Sequence, residues 1–222
     1  MTGSRLDQFT RADSATTVLR GAGVDTVWAT PTYIRHKPGQ TTIIAYELAL
    51  DDGSTTFGYA QWCADPARAE QVLAKAHSMR PRPSPVALAV GRVDEHTVFS
   101  GFPNDARLRR LRWYVDPRKI KRSLAGQVTP PDRISGRNTR VTILRYKPER
   151  RVVVRVDLAT AAGGARPVLV RYSTQRRARN LAALAGHLRR HGVSTPAPLA
   201  QVDNGHVGID EFVDGRQLRD VV

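Results

Sequence analysis

The sequence predicts an α+β chain built from two tandem copies of one unit, each an antiparallel sheet of about five strands with one helix. The first observation is a repeat at an offset of 110: Tyr33-Ile34-Arg35-His36-Lys37-Pro38 stands against Ile143-Leu144-Arg145-Tyr146-Lys147-Pro148. The second is its persistence. Ile43-Ile44-Ala45-Tyr46 faces Val153-Val154-Arg155-Val156, and Tyr59-Ala60-Gln61-Trp62 faces Leu169-Val170-Arg171-Tyr172. The offset slips to 109 for Val72 with Leu181 and Val93-Asp94 with Val202-Asp203, then returns to 110 where Phe102 meets Phe212. The third is that both copies read in one order: strand, Lys-Pro turn, strand, Gly-containing loop, strand, helix, two short strands.

A helix around 14–20 precedes the first copy, whose helix is expected at 65–79. In the second copy, β-branched runs bounded by turn residues predict strands at 141–146, 151–158 and 167–172. Lys147-Pro148-Glu149-Arg150 is a hairpin turn with Pro at its first central position, and 159–165 is a Gly-rich loop. Thr174 is the expected N-cap of a helix with Leu181, Leu184 and Leu188 on its apolar stripe, stopping at Gly192. Pro196 and Pro198 hold the next stretch extended into a strand at 199–202, and an Asp203-Asn204-Gly205 turn returns through 206–210. Between the copies, 108–136 is basic, with one or two short helices and a Pro130-Pro131 linker. The domains are expected at 1–125 and 126–222.

The chain has 222 residues, 35 Lys and Arg against 20 Asp and Glu, and a formal net charge of +15. Between Arg107 and Arg155, 16 cations meet three acids, which implies a phosphorylated ligand, nucleic acid, an anionic surface or a solvated face. The single cysteine, Cys63, excludes an intrachain disulfide framework, and with no signal-like or membrane-spanning run it predicts a cytoplasmic protein without a membrane partner. There is no Gly-x-x-x-x-Gly-Lys-Ser/Thr loop, no His/Cys cluster with metal spacing and no Gly-x-Ser-x-Gly elbow.

Several stretches of the second copy resemble the aminoglycoside phosphotransferase family, which includes maltokinase-type enzymes with a protein-kinase-like fold. They are Leu144-Arg145-Tyr146-Lys147-Pro148-Glu149-Arg150-Arg151, Val168-Leu169-Val170-Arg171-Tyr172-Ser173, Val193-Ser194-Thr195-Pro196-Ala197-Pro198-Leu199 and Glu211-Phe212-Val213-Asp214-Gly215-Arg216-Gln217-Leu218. The resemblance implies two kinase N-lobe-like units, the second binding ATP and ending at the hinge. Glu211, Phe212 and Val213 would hold adenine through backbone groups. Arg171 occupies the third-strand cation position where the family usually has Lys, and Lys147, Arg150 and Arg151 in the turn would lie near the phosphates.

Two departures qualify that resemblance. The helix after the third strand has no acid to pair Arg171, while the first copy has Glu70 on its helix but Gln61 on its strand, as a decayed or capping copy would. The family's catalytic Asp and metal-holding Asn and Asp have no counterpart, since His191-Gly192 is followed by Val193 and only seven residues follow Gly215. The expectation is therefore a nucleotide-binding half, inactive alone, whose Mg²⁺ enters through a partner catalytic lobe. The alternatives are a non-catalytic kinase-like scaffold or a nucleic-acid-binding module. The latter rests on Arg107-Leu108-Arg109-Arg110-Leu111-Arg112-Trp113-Tyr114, where cations interleave with aromatics, although Leu108, Leu111 and Val115 also have the spacing of a core-facing helix stripe.

Overall fold

The computed structural model describes residues 3–124, 134–160, 165–175 and 178–215. Its contacts form two compact units, Met1–Arg109 with Tyr146–Glu149, and Arg110–Arg145 with Arg150–Val222.

The first unit opens with helices α1 (Gly3–Thr10) and α2 (Ala12–Gly21). Strands β1 (Trp28–Lys37), β2 (Thr41–Ala49) and β3 (Thr55–Cys63) follow, then helix α3 (Pro66–Ser78) and strands β4 (Val90–Arg92) and β5 (Thr97–Gly101). The sheet order is β1-β2-β3-β5-β4, with every neighbouring pair antiparallel. Both faces are covered, which is why β2 is buried almost continuously instead of alternating. Leu19, Phe9 and Val24 pack with Ile44, Tyr46, Leu48 and Ala60 on one face, while Ala69, Val72 and Leu73 of α3 pack with Cys63 and Val98 on the other. Tyr46 donates its hydroxyl to the Phe9 carbonyl at 2.8 Å, so this deep phenol is satisfied. Asp65 caps α3 by accepting from Ala67 N at 2.9 Å, and Pro66 follows as first helical residue.

The second unit carries α4 (Leu111–Val115), α5 (Pro117–Leu124), β6 (Ile134–Lys147), β7 (Arg151–Thr160), β8 (Ala165–Ser173), α6 (Ala178–Arg190), β9 (Pro198–Val202) and β10 (Val207–Glu211). Its sheet order, β6-β7-β8-β10-β9, repeats the first. Registers repeat as well. Thr41 opposes Cys63 as Arg151 opposes Ser173, and Gly58 opposes Gly101 as Val168 opposes Glu211, each shifted by 110. On the outer strand Arg92 opposes Val98 while Gln201 opposes Gly208, which is the slip to 109 seen in the sequence, and a bulge at Ile209/Asp210 moves the register one residue further, so that Pro198 opposes Asp210 where Val90 opposes Ser100.

Several boundaries differ from the sequence reading. Strand β6 begins at Ile134, well before 141, and β7 runs to Thr160 into the Gly-rich segment, whose residues 161–164 lie outside the described set. The Thr174 N–H donates to the Arg150 carbonyl at 3.0 Å and α6 is described from Ala178, while the cap expected at Thr174 adjoins residues 176 and 177, which lie outside the described set. The helix does stop where Gly192 adopts φ 77°. The basic helices α4 and α5 group with the second unit, so the division falls near 110 rather than 125. Of the expected core-facing stripe Leu108, Leu111 and Val115, the first two are buried and Val115 is half-buried, but Leu108 precedes α4, so the three do not share one helix; Ile120 and Leu124 of α5 are buried as well. Tyr114 packs on Tyr172 at 5.0 Å, and Pro130-Pro131 lies outside the described residues.

Candidate functional site

Arg171 lies mid-strand on β8, on the side of the sheet that α6 covers. Since Arg171 opposes Gly208 and Leu169 opposes Asp210, Asp210 is the diagonal neighbour of Arg171 on the same face. Arg171 Nη2 lies 2.6 Å from Asp210 Oδ2, with the carboxylate 7% exposed and the arginine 32%. The acid that the helix lacks is thus supplied by the adjacent strand. Burial pushes the Asp210 carboxyl above its ordinary 3.8, and Arg171 pulls it back. The contact is charge against charge, off the hydrogen-bond direction. Among the described residues neither Asp210 Oδ2 nor Arg171 Nε has a hydrogen-bond partner. A cavity of about 180 Å³ adjoins the pair, walled by Leu169, Leu181, Leu184, Leu188 and Pro196.

The turn residues expected beside Arg171 are divided. Glu149 takes φ 58° and Gly39, its counterpart in the first turn, takes φ 65°, the left-handed third position of a Pro-initiated type II turn. The tip Tyr146–Glu149 groups with the first unit. Lys147 Nζ sits 5.0 Å above the Tyr33 ring, and Glu149 is held by Arg35 at 2.5 Å. Arg150 and Arg151 group with the second unit, where the Arg150 carbonyl accepts from Thr174 and Arg151 pairs with Ser173 in the ladder.

Asp105 organises that tip. Its Oδ1 accepts from Arg107 N and Leu108 N at 2.9 and 2.8 Å, and its Oδ2 accepts from the Tyr146 hydroxyl and Glu149 N, both at 2.8 Å. Burial pushes this carboxyl up from 3.8 while the four donors oppose the shift. The sequence offers Asn104 or Asp105 as cap of a helix bearing Leu108 and Leu111, but α4 begins only at Leu111 and Asp105 binds the loop before it; its reach to Tyr146 and Glu149 has no local signal. Asn104 is no cap: it stitches the Pro-rich connector through Arg82 N and O at 2.7 and 3.0 Å.

At the hinge-like segment, Glu211 ends β10 and its N–H donates to the Ala197 carbonyl at 2.7 Å. Phe212 lies under the Arg155 guanidinium at 4.5 Å, and Val213 is exposed. Leu218, Val221 and Val222, expected to form an apolar patch with these residues, lie outside the described set.

In the first unit Gln61 and Ser100 replace Arg171 and Asp210, and Glu70 is engaged by Arg92 from β4. A cavity of about 440 Å³ opens here, lined by Arg35, Lys37, Gln61, Arg68, Lys75 and Arg107 among others. Sequence reasoning passed over it. Its only local signal is the spacing of Arg68, Gln71 and Lys75 on one helix face, which is also the pattern of a solvated face. Two histidines occupy equivalent places in the two units. His96 Nδ1 lies 2.9 Å from the Cys63 carbonyl and His206 Nδ1 2.9 Å from the Ser173 carbonyl, so each Nδ1 must be the donor.

In the basic run, Tyr114 is buried and the Trp113 ring has Arg112 at 5.8 Å and Lys119 at 6.0 Å. Among the described residues no group of three or more His, Cys, Asp or Glu is placed to hold a metal ion, and no helix is long and apolar enough to cross a membrane. No protein-family model matches the chain, nor does any curated protein or solved structure.

Proposed function

We propose that the second unit is the nucleotide-side lobe of an ATP-dependent phosphotransferase acting on a small-molecule hydroxyl, similar to aminoglycoside and maltose kinases. The observation that carries this reading is the placement of Arg171 on the third strand, on the helix-covered face, ion-paired to Asp210. A cation so placed neutralises the phosphates of a bound nucleotide, and its acid partner holds it in position. Replacing Lys by Arg has a physical consequence here. A guanidinium presents five donors in a planar fork, so Nη2 stays on Asp210 while the other terminal nitrogen remains for phosphate oxygens.

The residues present fit half of an ATP site. The 180 Å³ cavity is below the ~300 Å³ at which small-ligand pockets usually begin. On this reading the acceptor-orienting Asp, the metal-holding residues and the far wall of the nucleotide site belong to a catalytic lobe, and β10 leads toward it through Glu211, Phe212 and Val213. The first unit would be a copy without the phosphate cation at the third strand. Photolabelling with 8-azido-ATP tests the assignment. Label in the peptide carrying Glu211, Phe212 and Val213, protected by ATP, supports it, and label confined to the first unit refutes it.

A further inference from the structure

We propose that the cleft between α3 and the first three strands of the first unit binds a small phosphate-bearing ligand. Its floor is one row across the sheet, in which Arg35 opposes Ile43 and Ile43 opposes Gln61. Directly paired residues share a face, and alternation returns Lys37 to the face of Arg35. Its wall is α3, where Arg68, Gln71 and Lys75 recur at helical spacing on one side. Arg107 joins from the loop after β5, so five cations line a cleft that contains only two carboxylates, Asp65 and Glu149.

Both carboxylates are already engaged. Asp65 caps α3 and Glu149 holds Arg35. Lys37 and Lys75, by contrast, form no ion pair among the described residues. Like charges gathered on low-dielectric walls focus a positive potential and repel one another until an anion enters. Gln61 adds an uncharged donor at the floor. It is 8% exposed, and its amide nitrogen has only the Cys63 thiol at 4.0 Å. A carboxamide N–H₂ so placed is free to donate to a phosphate oxygen. The position that carries Arg171 in the second unit is thus neutral here, and Arg35 supplies the cation two strands away in the same row. A volume of about 440 Å³ falls within the ~300–1,000 Å³ range of small-ligand sites. The inference does not depend on the reading of the second unit.

The test is calorimetric titration of inorganic pyrophosphate into the 222-residue chain carrying Arg171→Ala, so that the phosphate contact proposed for the second unit does not contribute, and into the same chain with Lys37→Glu/Lys75→Glu added. Both lysines are exposed, and circular dichroism checks that the variants keep their fold. One saturable site is expected, weakened at least ~10-fold by the lysine pair. Gln61→Leu, which keeps the volume and removes the donor, should also weaken binding. Inorganic phosphate, a hexose phosphate and a nucleoside diphosphate as competitors separate the sources of this chemistry, and displacement by any of them supports the site. Absence of saturable binding overturns the proposal. So does binding that the lysine pair leaves unchanged, or a single-stranded oligonucleotide held by the same lysines that pyrophosphate does not displace.

Discussion

Arg171 and Asp210 meet at 2.6 Å on the helix side of the second sheet, where the first sheet has Gln61 and Ser100 at the same register. The two sheets share strand order and pairing. They differ in charge at this diagonal, the feature on which the functional reading of the second unit turns.

Breaking the pair should be measurable. Asp210→Ala leaves Arg171 without its carboxylate in a half-buried site. We expect a loss of about 1–2 kcal/mol in urea denaturation, below the ~3–5 of a fully buried pair because Arg171 is about one-third exposed. An unchanged midpoint would show that the pair contributes nothing to the fold.

Asp105 should matter more. Asp105→Ala strands two backbone N–H groups at Arg107 and Leu108, one at Glu149 and the Tyr146 hydroxyl, and should cost about 3 kcal/mol or more. The pH dependence follows from the direction of its shift. Burial raises the folded carboxyl above 3.8, so this group's contribution is complete below that pH and is lost as pH rises through the native value. Relative to Asp105→Asn, the wild type should therefore lose stability as pH rises above about 4. Parallel curves would contradict the shift.

The two turns give a matched pair of substitutions. Gly39→Ala meets open space, so its cost is the left-handed backbone alone, about 1–2 kcal/mol. Glu149→Gly relieves about 1 kcal/mol of the same strain and gives up the partly buried contact with Arg35, so its net effect should be smaller than that of Gly39→Ala. Denaturation midpoints of the two variants decide it.

His96→Ala and His206→Ala should each cost about 1 kcal/mol, because each removes one hydrogen bond to the last carbonyl of a third strand. A large cost at one site and none at the other would argue that the equivalence is one of shape only.

These residues also mark what the sequence made legible. The presence of two equivalent antiparallel sheets followed from a repeat that aligns Lys37-Pro38 with Lys147-Pro148, because β-branched runs and Pro-initiated turns are local signals. The cap at Asp65 and the stop at Gly192 are local as well. The rest is non-local. Asp210 reaches Arg171 only through strand pairing, and Asp105 finds Tyr146 from 41 residues away. The cleft at Arg35, Gln61 and Lys75 needs three strands and a helix assembled before its charge converges.

The most direct measurement is ATP binding at Arg171, made in the Lys37→Glu/Lys75→Glu background so that the first-unit cleft does not contribute. Calorimetry should show weak binding that Arg171→Ala reduces by about 1.5–3 kcal/mol, the range of a charge-assisted contact. ATP binding indifferent to Arg171→Ala would contradict the account, as would no ATP binding beside oligonucleotide binding that falls steeply with salt.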